Sequence, residues 1–240
     1  MDTTGRQSVA SLVLLNQKIV PVLEKYSIDF CCRGKMSLEN ACKEKGIELS
    51  AVLKDIEAVG AVETGKQMPF TEMTETQLVN HIVTKHHYYV KNIMPVIAGH
   101  LEKVATKHGD SFPYMIKVKE LFGIIHKEMD EHMMKEETIL FPRILEIEKH
   151  SRQGTRPTAN YISGPIEMME REHEHAGDLL FEIRRLTNHY TAPPGGCTTF
   201  QLCLSELREF EDDLHLHVHL ENNILFPKAL QFCRTASPRL

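Results

Sequence analysis

The chain has 240 residues, of which 42% are hydrophobic and 25% are charged, as expected for a globular protein of one or two domains. Its net charge of −5 at pH 7 gives no electrostatic basis for binding nucleic acid, and no run of about 18 apolar residues predicts a membrane span. Six cysteines, two of them adjacent, do not resemble a secreted disulfide framework, so we expect a protein of the reducing cytoplasm without a membrane partner.

The first predicted elements are short helices. One covers Val9 to Lys25 and is disturbed by a proline, the next runs from Ser37 to Lys45 with Gly46 as a stop signal, and a third begins at Ser50. These segments predict a small helical domain over residues 1–65.

A linker and four long helices follow. Residues 61–72 contain Gly65 and Pro69 and have no sustained periodicity, which is typical of a linker. The four bundle helices are predicted over Thr74 to about His108, Pro113 to about Lys149, Pro165 to about Tyr190, and Thr198 towards Gln231. Four helices with modest connections predict an all-α, up-down-up-down bundle over residues 72–240.

The second and fourth bundle helices share the pattern His-x-x-x-Glu-x-x-Ile-Leu-Phe-Pro, which begins at His132 and again 85 residues later at His217. Residues i and i+4 project from one helix face about 5–6 Å apart. His132 with Glu136, and His217 with Glu221, can therefore hold two edges of a metal site. The same faces carry apolar residues such as Ile139, where a glutamate is costly unless it is paired or bound to a metal. The repeat therefore predicts a metal site.

The other two bundle helices should supply the remaining donors. On the third helix, His173 lies on the apolar face, whereas His175 lies on the charged face and is expected in solvent. On the first helix the periodicity does not choose between His86 and His87. Glu128, Asp213 and Glu172 either orient the imidazoles or lie on solvated helix faces, and the pattern does not choose between the two.

Successive candidate histidines are 41 to 45 residues apart, so that each bundle helix can bring one to a common level. If Glu136 and Glu221 both bridge two ions, each ion receives two nitrogens and two carboxylate oxygens. With an oxo or hydroxo bridge, each ion is five-coordinate and keeps one position open for O₂ or NO. This mixture of donors suits iron better than manganese or zinc. His215 and His219 form a competing pair, but their helix face is rich in charge and is predicted to be exposed.

The bundle helices resemble hemerythrin-like domains. The segment Tyr26 to Lys35, with its adjacent cysteines, resembles the N-terminal domain of the iron–sulfur cluster repair di-iron proteins, also called repair of iron centres (RIC) proteins. Arg33 stands where that family usually has glycine. The resemblance favours His87 over His86 and leaves His108 as an accessory ligand. It implies two iron ions held by His87, His132, His173 and His217, with Glu136 and Glu221 as bridges.

The family resemblance also implies a function, which is the repair of iron–sulfur clusters damaged by nitrosative or oxidative stress. The partners are then damaged iron–sulfur proteins and the small molecules NO and O₂, and a homodimer is compatible with the sequence. Alternatives are an O₂ or NO sensor or carrier, and an NO reductase that forms N₂O. Cys31 and Cys32 are predicted to be a redox, NO-transfer or metal-transfer dithiol, because Arg33, Lys35 and a following helix N-terminus should lower a thiol pKa.

Overall fold

The computed structural model describes residues 4–59, 69–153 and 161–234, with side chains up to residue 232. Within these residues the regular elements are helices, and a single isolated bridge joins Ser8 to Ser37, which confirms the all-α class. No helix in the described part of the chain is both long and apolar enough to cross a membrane. The predicted domain boundary at residue 65, most of the linker and part of the loop before the third bundle helix lie outside the described residues.

The N-terminal segment contains four short helices, namely α1 (Val9–Leu15), α2 (Val20–Lys25), α3 (Leu38–Lys45) and α4 (Leu49–Val59). The side chains of Ser8 and Ser37 accept backbone N–H groups at the starts of α1 and α3. The single helix expected up to Lys25 is divided, because Asn16 is extended (φ −151°) and its side chain accepts the N–H of Lys18.

Three of the four bundle helices contain a π-helical segment between two α-helical parts. The first bundle helix comprises α5 (Glu75–His81), a π segment (Ile82–His87) and α6 (Tyr88–His108). The second comprises α7 (Tyr114–Lys135), a π segment (Glu136–Leu140) and α8 (Phe141–Arg152). The third is α9 (Ser163–Leu186), and the fourth comprises α10 (Thr198–Leu220), a π segment (Glu221–Leu225) and α11 (Phe226–Arg234).

Two of the π segments precede a proline in the next helix. Pro142 and Pro227 have no N–H to donate to the residue four positions earlier, so the normal α-helical ladder cannot continue through them. A wider i→i+5 turn accommodates this loss and is frequent at functional sites. In contrast, α6 continues as one helix through Pro95.

Two helix ends differ from the prediction. The third bundle helix ends at Leu186 instead of Tyr190, because Asn188, His189 and Tyr190 have positive φ angles of 46°, 57° and 58°. Cys197, rather than Thr198, occupies the cap position of α10, and no capping hydrogen bond from its side chain is formed.

The bundle core has two apolar clusters. One is built around Met94, Ile125 and Phe210 and is continuous with the apolar core of the N-terminal helices. The other contains Leu78, Phe226 and neighbouring residues from the opposite end of the bundle. On every bundle helix, the predicted metal ligands lie near the boundary between the residues of one apolar cluster and those of the other. The site is therefore at the middle of the bundle.

The loop of residues 26–36 lies against the seam between α9 and α10. α6 packs closely on α7 and α10, and α7 packs on α9, whereas α9 and α10 meet less closely. The backbone oxygen of Phe30 is 3.2 Å from Nδ1 of His219 in α10, and Lys35 is 3.6 Å from Glu170 in α9. The N-terminal unit therefore contacts both sides of the seam.

Candidate metal centre

The structure brings together all six residues predicted to bind metal. Each of them is at most 1% exposed, and each bundle helix contributes at least one histidine. The π segments place three of them, because His87 ends the first π segment while Glu136 and Glu221 begin the other two.

The donor atoms form two overlapping groups. One group contains His87 and His217, the other contains His132 and His173, and both groups include Glu136 and Glu221. Within each group the donor atoms lie within 4.8 Å of one another. Nε2 of His87 and Nε2 of His132 are each 3.3 Å from Oε2 of Glu136. On the other side, His217 lies 3.0 Å and His173 lies 3.2 Å from the carboxylate of Glu221. Two shared carboxylates between two pairs of imidazoles can hold two metal ions.

Both glutamates carry buried oxygens that accept no hydrogen bond of good geometry in the protein. Neither oxygen of Glu136 makes a hydrogen bond of good geometry, and Oε2 of Glu221 makes none either. A buried carboxylate without a partner is strongly unfavourable, and a bound cation would satisfy both groups. The donor set of imidazoles and carboxylates therefore fits a metal centre.

The imidazoles and carboxylates of the site shift one another's pKa values. Burial lowers the pKa of His132, but Glu136, Glu172 and Glu221 outweigh this effect and raise the pKa to about 10. Burial raises the pKa of Glu221, but His217 and His173 outweigh it and hold this pKa well below its usual range. Both pKa shifts favour the charged forms of the histidine and the glutamate, although the cluster is buried. A metal ion would replace the protons on the imidazoles.

Comparison with known proteins agrees with this geometry. The hemerythrin HHE cation binding domain matches residues 78–229, and a domain of unknown function, DUF542, matches residues 5–60. The chain is 33% identical to the iron-sulfur cluster repair protein YtfE of Cronobacter sakazakii and to that of Citrobacter koseri, over 93% of this chain and 96% of each relative.

The chain belongs to the iron–sulfur cluster repair family. Its bundle is a hemerythrin-like cation-binding domain. The fold expected from the resemblance is thereby confirmed, and the matched segments flank the region that was expected to be a linker.

Hydrogen bonds from the surrounding helices orient the imidazoles of this hemerythrin-like centre. Glu172 takes the orienting role of its two alternatives, because its Oε2 lies 2.9 Å from Nδ1 of His132, and this contact together with Lys135 lowers the pKa of Glu172 to about 2. Two other groups were not predicted. Glu137 lies 2.7 Å from Nδ1 of His87, and Asn222 lies 3.0 Å from Nδ1 of His173.

The repeat could have predicted these two orienting residues. Glu137 directly follows Glu136, and Asn222 directly follows Glu221, so the two residues occupy equivalent positions 85 residues apart. Each orients the histidine of the preceding bundle helix. The two positions differ in residue type, so the identical residues of the repeat do not reveal them.

His86 is buried but is not part of either donor group. The wide turn of the first π segment directs both His86 and His87 inward, and this is why periodicity did not separate them. Nδ1 of His86 is 3.0 Å from Asp213, and its ring stacks on His217 with 5.6 Å between centroids. Asp213 thus orients His86 instead of a predicted ligand. Glu128 contacts only the exposed His175, so it lies on a solvated helix face and does not orient a predicted ligand.

His108 is not an accessory ligand. It ends α6, 21 residues beyond His87, which corresponds to roughly 30 Å along a helix. Its Nε2 is 3.2 Å from Sγ of Cys197 at the start of α10. Backbone N–H groups of Phe200 and Thr199, with Lys107, lower the pKa of the Cys197 thiol.

Two expectations about exposure are also wrong. Ile139 is 46% exposed, because the wide turn that begins at Glu136 rotates it away from the apolar face. His219, expected on an exposed face, is 1% exposed because the loop around Phe30 covers it. His215 also contacts this loop and Glu24, and the pair does not form a metal-binding group among the described residues.

The environment of the adjacent cysteines differs from the prediction. The Sγ atoms of Cys31 and Cys32 are 3.7 Å apart, and Sγ of Cys31 is 3.3 Å from Oδ1 of Asp29. The hydrogen bond with Cys32, burial and the negative charge of Asp29 raise the pKa of Cys31 well above its usual value. Arg33 and Lys35 do not reverse this effect, because the Arg33 side chain is exposed and Lys35 pairs with Glu170.

Proposed function

We propose that the protein is a non-haem di-iron protein that repairs iron–sulfur clusters damaged by nitrosative or oxidative stress. The observation that carries this proposal is the pair of buried carboxylates shared by two pairs of imidazoles. In this proposal His87 and His217 bind one iron, His132 and His173 bind the other, and Glu136 and Glu221 bridge the two ions.

The protein's own groups bind and orient these donors. Glu137, Glu172 and Asn222 hold three of the four imidazoles by their Nδ1 atoms, so that each Nε2 faces the carboxylates. Apolar clusters on both sides exclude water from the donors. When bound, iron would supply a redox-active ion that binds NO or O₂ and can be donated to a damaged cluster.

The expected clients are damaged iron–sulfur proteins, and this assignment is supported by the similarity to iron–sulfur cluster repair proteins. Binding of NO and O₂, formation of a homodimer and location in the cytoplasm remain predictions. The adjacent cysteines are proposed to take part in repair, since the loop that carries them covers the seam beside the centre.

The proposal is tested with the double variant Glu136→Gln/Glu221→Gln. We expect the wild type to load two irons per chain and to reactivate an iron–sulfur enzyme that has been inactivated with NO. The double variant should load no iron and lose reactivation while its circular dichroism spectrum stays helical. Glu128→Gln/Glu131→Gln, which removes two exposed carboxylates, is the matched control. Two irons per chain in the bridging-residue variant would overturn the assignment.

A variant of the adjacent cysteines distinguishes a repair protein from a sensor or carrier without repair activity. The variant Cys31→Ala/Cys32→Ala should keep both irons and lose reactivation if the chain is a repair protein. Full reactivation by this variant would exclude a role of the cysteines in repair. N₂O production by the anaerobic ferrous protein would favour NO reduction.

A further inference from the structure

A second group of metal-binding side chains lies in the N-terminal unit, apart from the bundle centre. It consists of Asp29, Cys31 and Cys32, whose donor atoms lie within 4.8 Å of one another. Cys31 is buried, whereas Cys32 is partly accessible. Neither thiol contacts any of the six residues of the bundle centre.

The distances match those around a single tetrahedral ion. Two metal–sulfur bonds of about 2.3 Å at a tetrahedral angle place the sulfurs about 3.8 Å apart, and a metal–oxygen bond of about 2.0 Å places oxygen about 3.5 Å from sulfur. The observed separations are 3.7 Å between the two sulfurs and 3.3 Å from Cys31 to Asp29. The two sulfurs could therefore hold a cation with little movement.

We propose that Asp29, Cys31 and Cys32 form a mononuclear site for a thiophilic divalent cation such as Zn²⁺. Binding replaces the two thiol protons, which are released to solvent, so the cation and two thiols give a dithiolate complex and two protons without oxidation or reduction. The site goes beyond the proposed di-iron centre and does not depend on it.

The loop holds the carboxylate in place for this role. Oδ1 of Asp29 accepts the backbone N–H groups of Cys31 and Cys32, each at 2.9 Å, and Oδ2 accepts the N–H of Arg33 at 3.3 Å. These bonds orient the carboxylate. Oδ1 accepts two of them and Oδ2 accepts one, so the lone pair that remains for a metal is on Oδ2, because each carboxylate oxygen has two. Without a bound cation, the hydrogen bond with Cys32, burial and the negative charge of Asp29 raise the pKa of Cys31. A bound cation would reverse this effect and keep both thiols deprotonated.

The cysteines open on a cavity through which an ion can arrive. This cavity of about 390 Å³ lies between the loop and the seam of the bundle, and it also contacts Asn222, which orients His173. Three carboxylates and two basic groups complete its charged lining, namely Glu167, Glu170, Glu174, Lys35 and Arg171. The excess of negative charge favours a cation, and a water molecule or one of these carboxylates can supply the fourth ligand.

Cobalt(II) provides a specific test, because thiolate-to-cobalt charge transfer gives an absorption that oxygen and nitrogen ligands cannot produce. The full-length apoprotein is titrated anaerobically with Co²⁺. We expect this absorption to correspond to one thiolate-bound Co²⁺ per chain. It should disappear in Cys31→Ser/Cys32→Ser, and it should require about tenfold more Co²⁺ in Asp29→Asn. Cys42→Ser removes a buried thiol of the same unit and should leave the absorption unchanged.

A second variant keeps this test separate from the proposed di-iron centre. Glu136→Gln/Glu221→Gln should retain the charge-transfer absorption even when its bundle binds no metal. X-ray absorption of the zinc form should show two sulfurs at about 2.3 Å. The site is disproved if the folded wild type shows no thiolate absorption at saturating Co²⁺, or if the absorption persists without Cys31 and Cys32.

Discussion

At the scale of single residues, the groups behind the ligands decide how well the centre is organised. Glu137 contacts Nδ1 of His87 at 2.7 Å and is itself held by Lys91 at the same distance. Groups in such positions fix the tautomer and the orientation of a metal-binding imidazole. Their loss should weaken metal binding without unfolding the bundle.

The first prediction concerns Glu137. Replacing it with alanine frees the His87 ring, so we expect metal affinity to fall by about 10- to 100-fold. Competition with a chromophoric chelator measures the change. Glu131→Ala removes a nearby exposed carboxylate and should have no effect. Equal affinities for the two variants would show that Glu137 does not orient the ligand.

A second residue-scale prediction concerns pH. Burial, together with Glu24 and Glu211, raises the pKa of Asp212 from 3.8 to about 7. Between these values the folded protein keeps a proton that the unfolded chain has lost, so this group makes the protein less stable as pH rises from about 4 to 7.

Asp212→Asn removes this ionisation. Because Asp212 is partly accessible, we expect a gain of only about 1–2 kcal/mol at pH 8, and almost none at pH 4. Urea unfolding at both pH values measures this gain in the free energy of unfolding. Asp110→Asn, at an exposed turn position, is the control. A gain that is equal at the two pH values would contradict the assignment.

At the scale of elements, helix ends and π segments determine where side chains point. The π segments begin or end at His87, Glu136 and Glu221, so the departures from α-helical geometry coincide with the predicted ligands. Periodicity based on α-helices was reliable before these segments. It predicted the wrong exposure for Ile139 and could not separate His86 from His87, and all three residues lie inside π segments.

The third prediction compares two glycines. Gly46 ends α3 with φ +65°, and a Cβ added there would meet nothing within 4 Å. Gly46→Ala should therefore cost about 1 kcal/mol through backbone strain alone. Gly123 lies within α7, where an added Cβ also meets nothing, and Gly123→Ala should stabilise the protein by about 0.5–1 kcal/mol. Effects of the same sign in thermal unfolding would be inconsistent with these backbone conformations.

At the scale of the whole molecule, the N-terminal unit covers the seam between α9 and α10. Arg184 of α9 lies 2.9 Å from Glu211 of α10 and also contacts Ser27 of the covering loop. Both charged side chains are largely buried. Removing one partner would leave the other without compensation in a dry interface.

The fourth prediction follows from this ion pair. Arg184→Leu should destabilise the protein by about 3 kcal/mol, because Glu211 stays buried without its partner. The neighbouring Arg185 pairs with Glu182 on the surface, so Arg185→Leu should cost less than about 1 kcal/mol. Denaturant unfolding of both variants measures the difference. Similar values would indicate that the seam is hydrated.

The sequence by itself predicted the helical class and the four ligands of the repeat, whereas only the family resemblance favoured His87 over His86. This was possible because a repeat of His-x-x-x-Glu places two donors on one helix face through local geometry alone. Local spacing also indicated that His173 faces inward and His175 faces solvent, as the structure has them.

Only the tertiary structure decided which residues support those donors. Glu137 and Asn222 reach histidines on other helices, and the seam beneath the N-terminal loop buries His219. The cysteines were expected to have lowered pKa values from neighbours in sequence, but burial and Asp29 raise that of Cys31. These properties depend on contacts between distant segments and on exclusion of water, and neither is encoded in the spacing of residues along one helix.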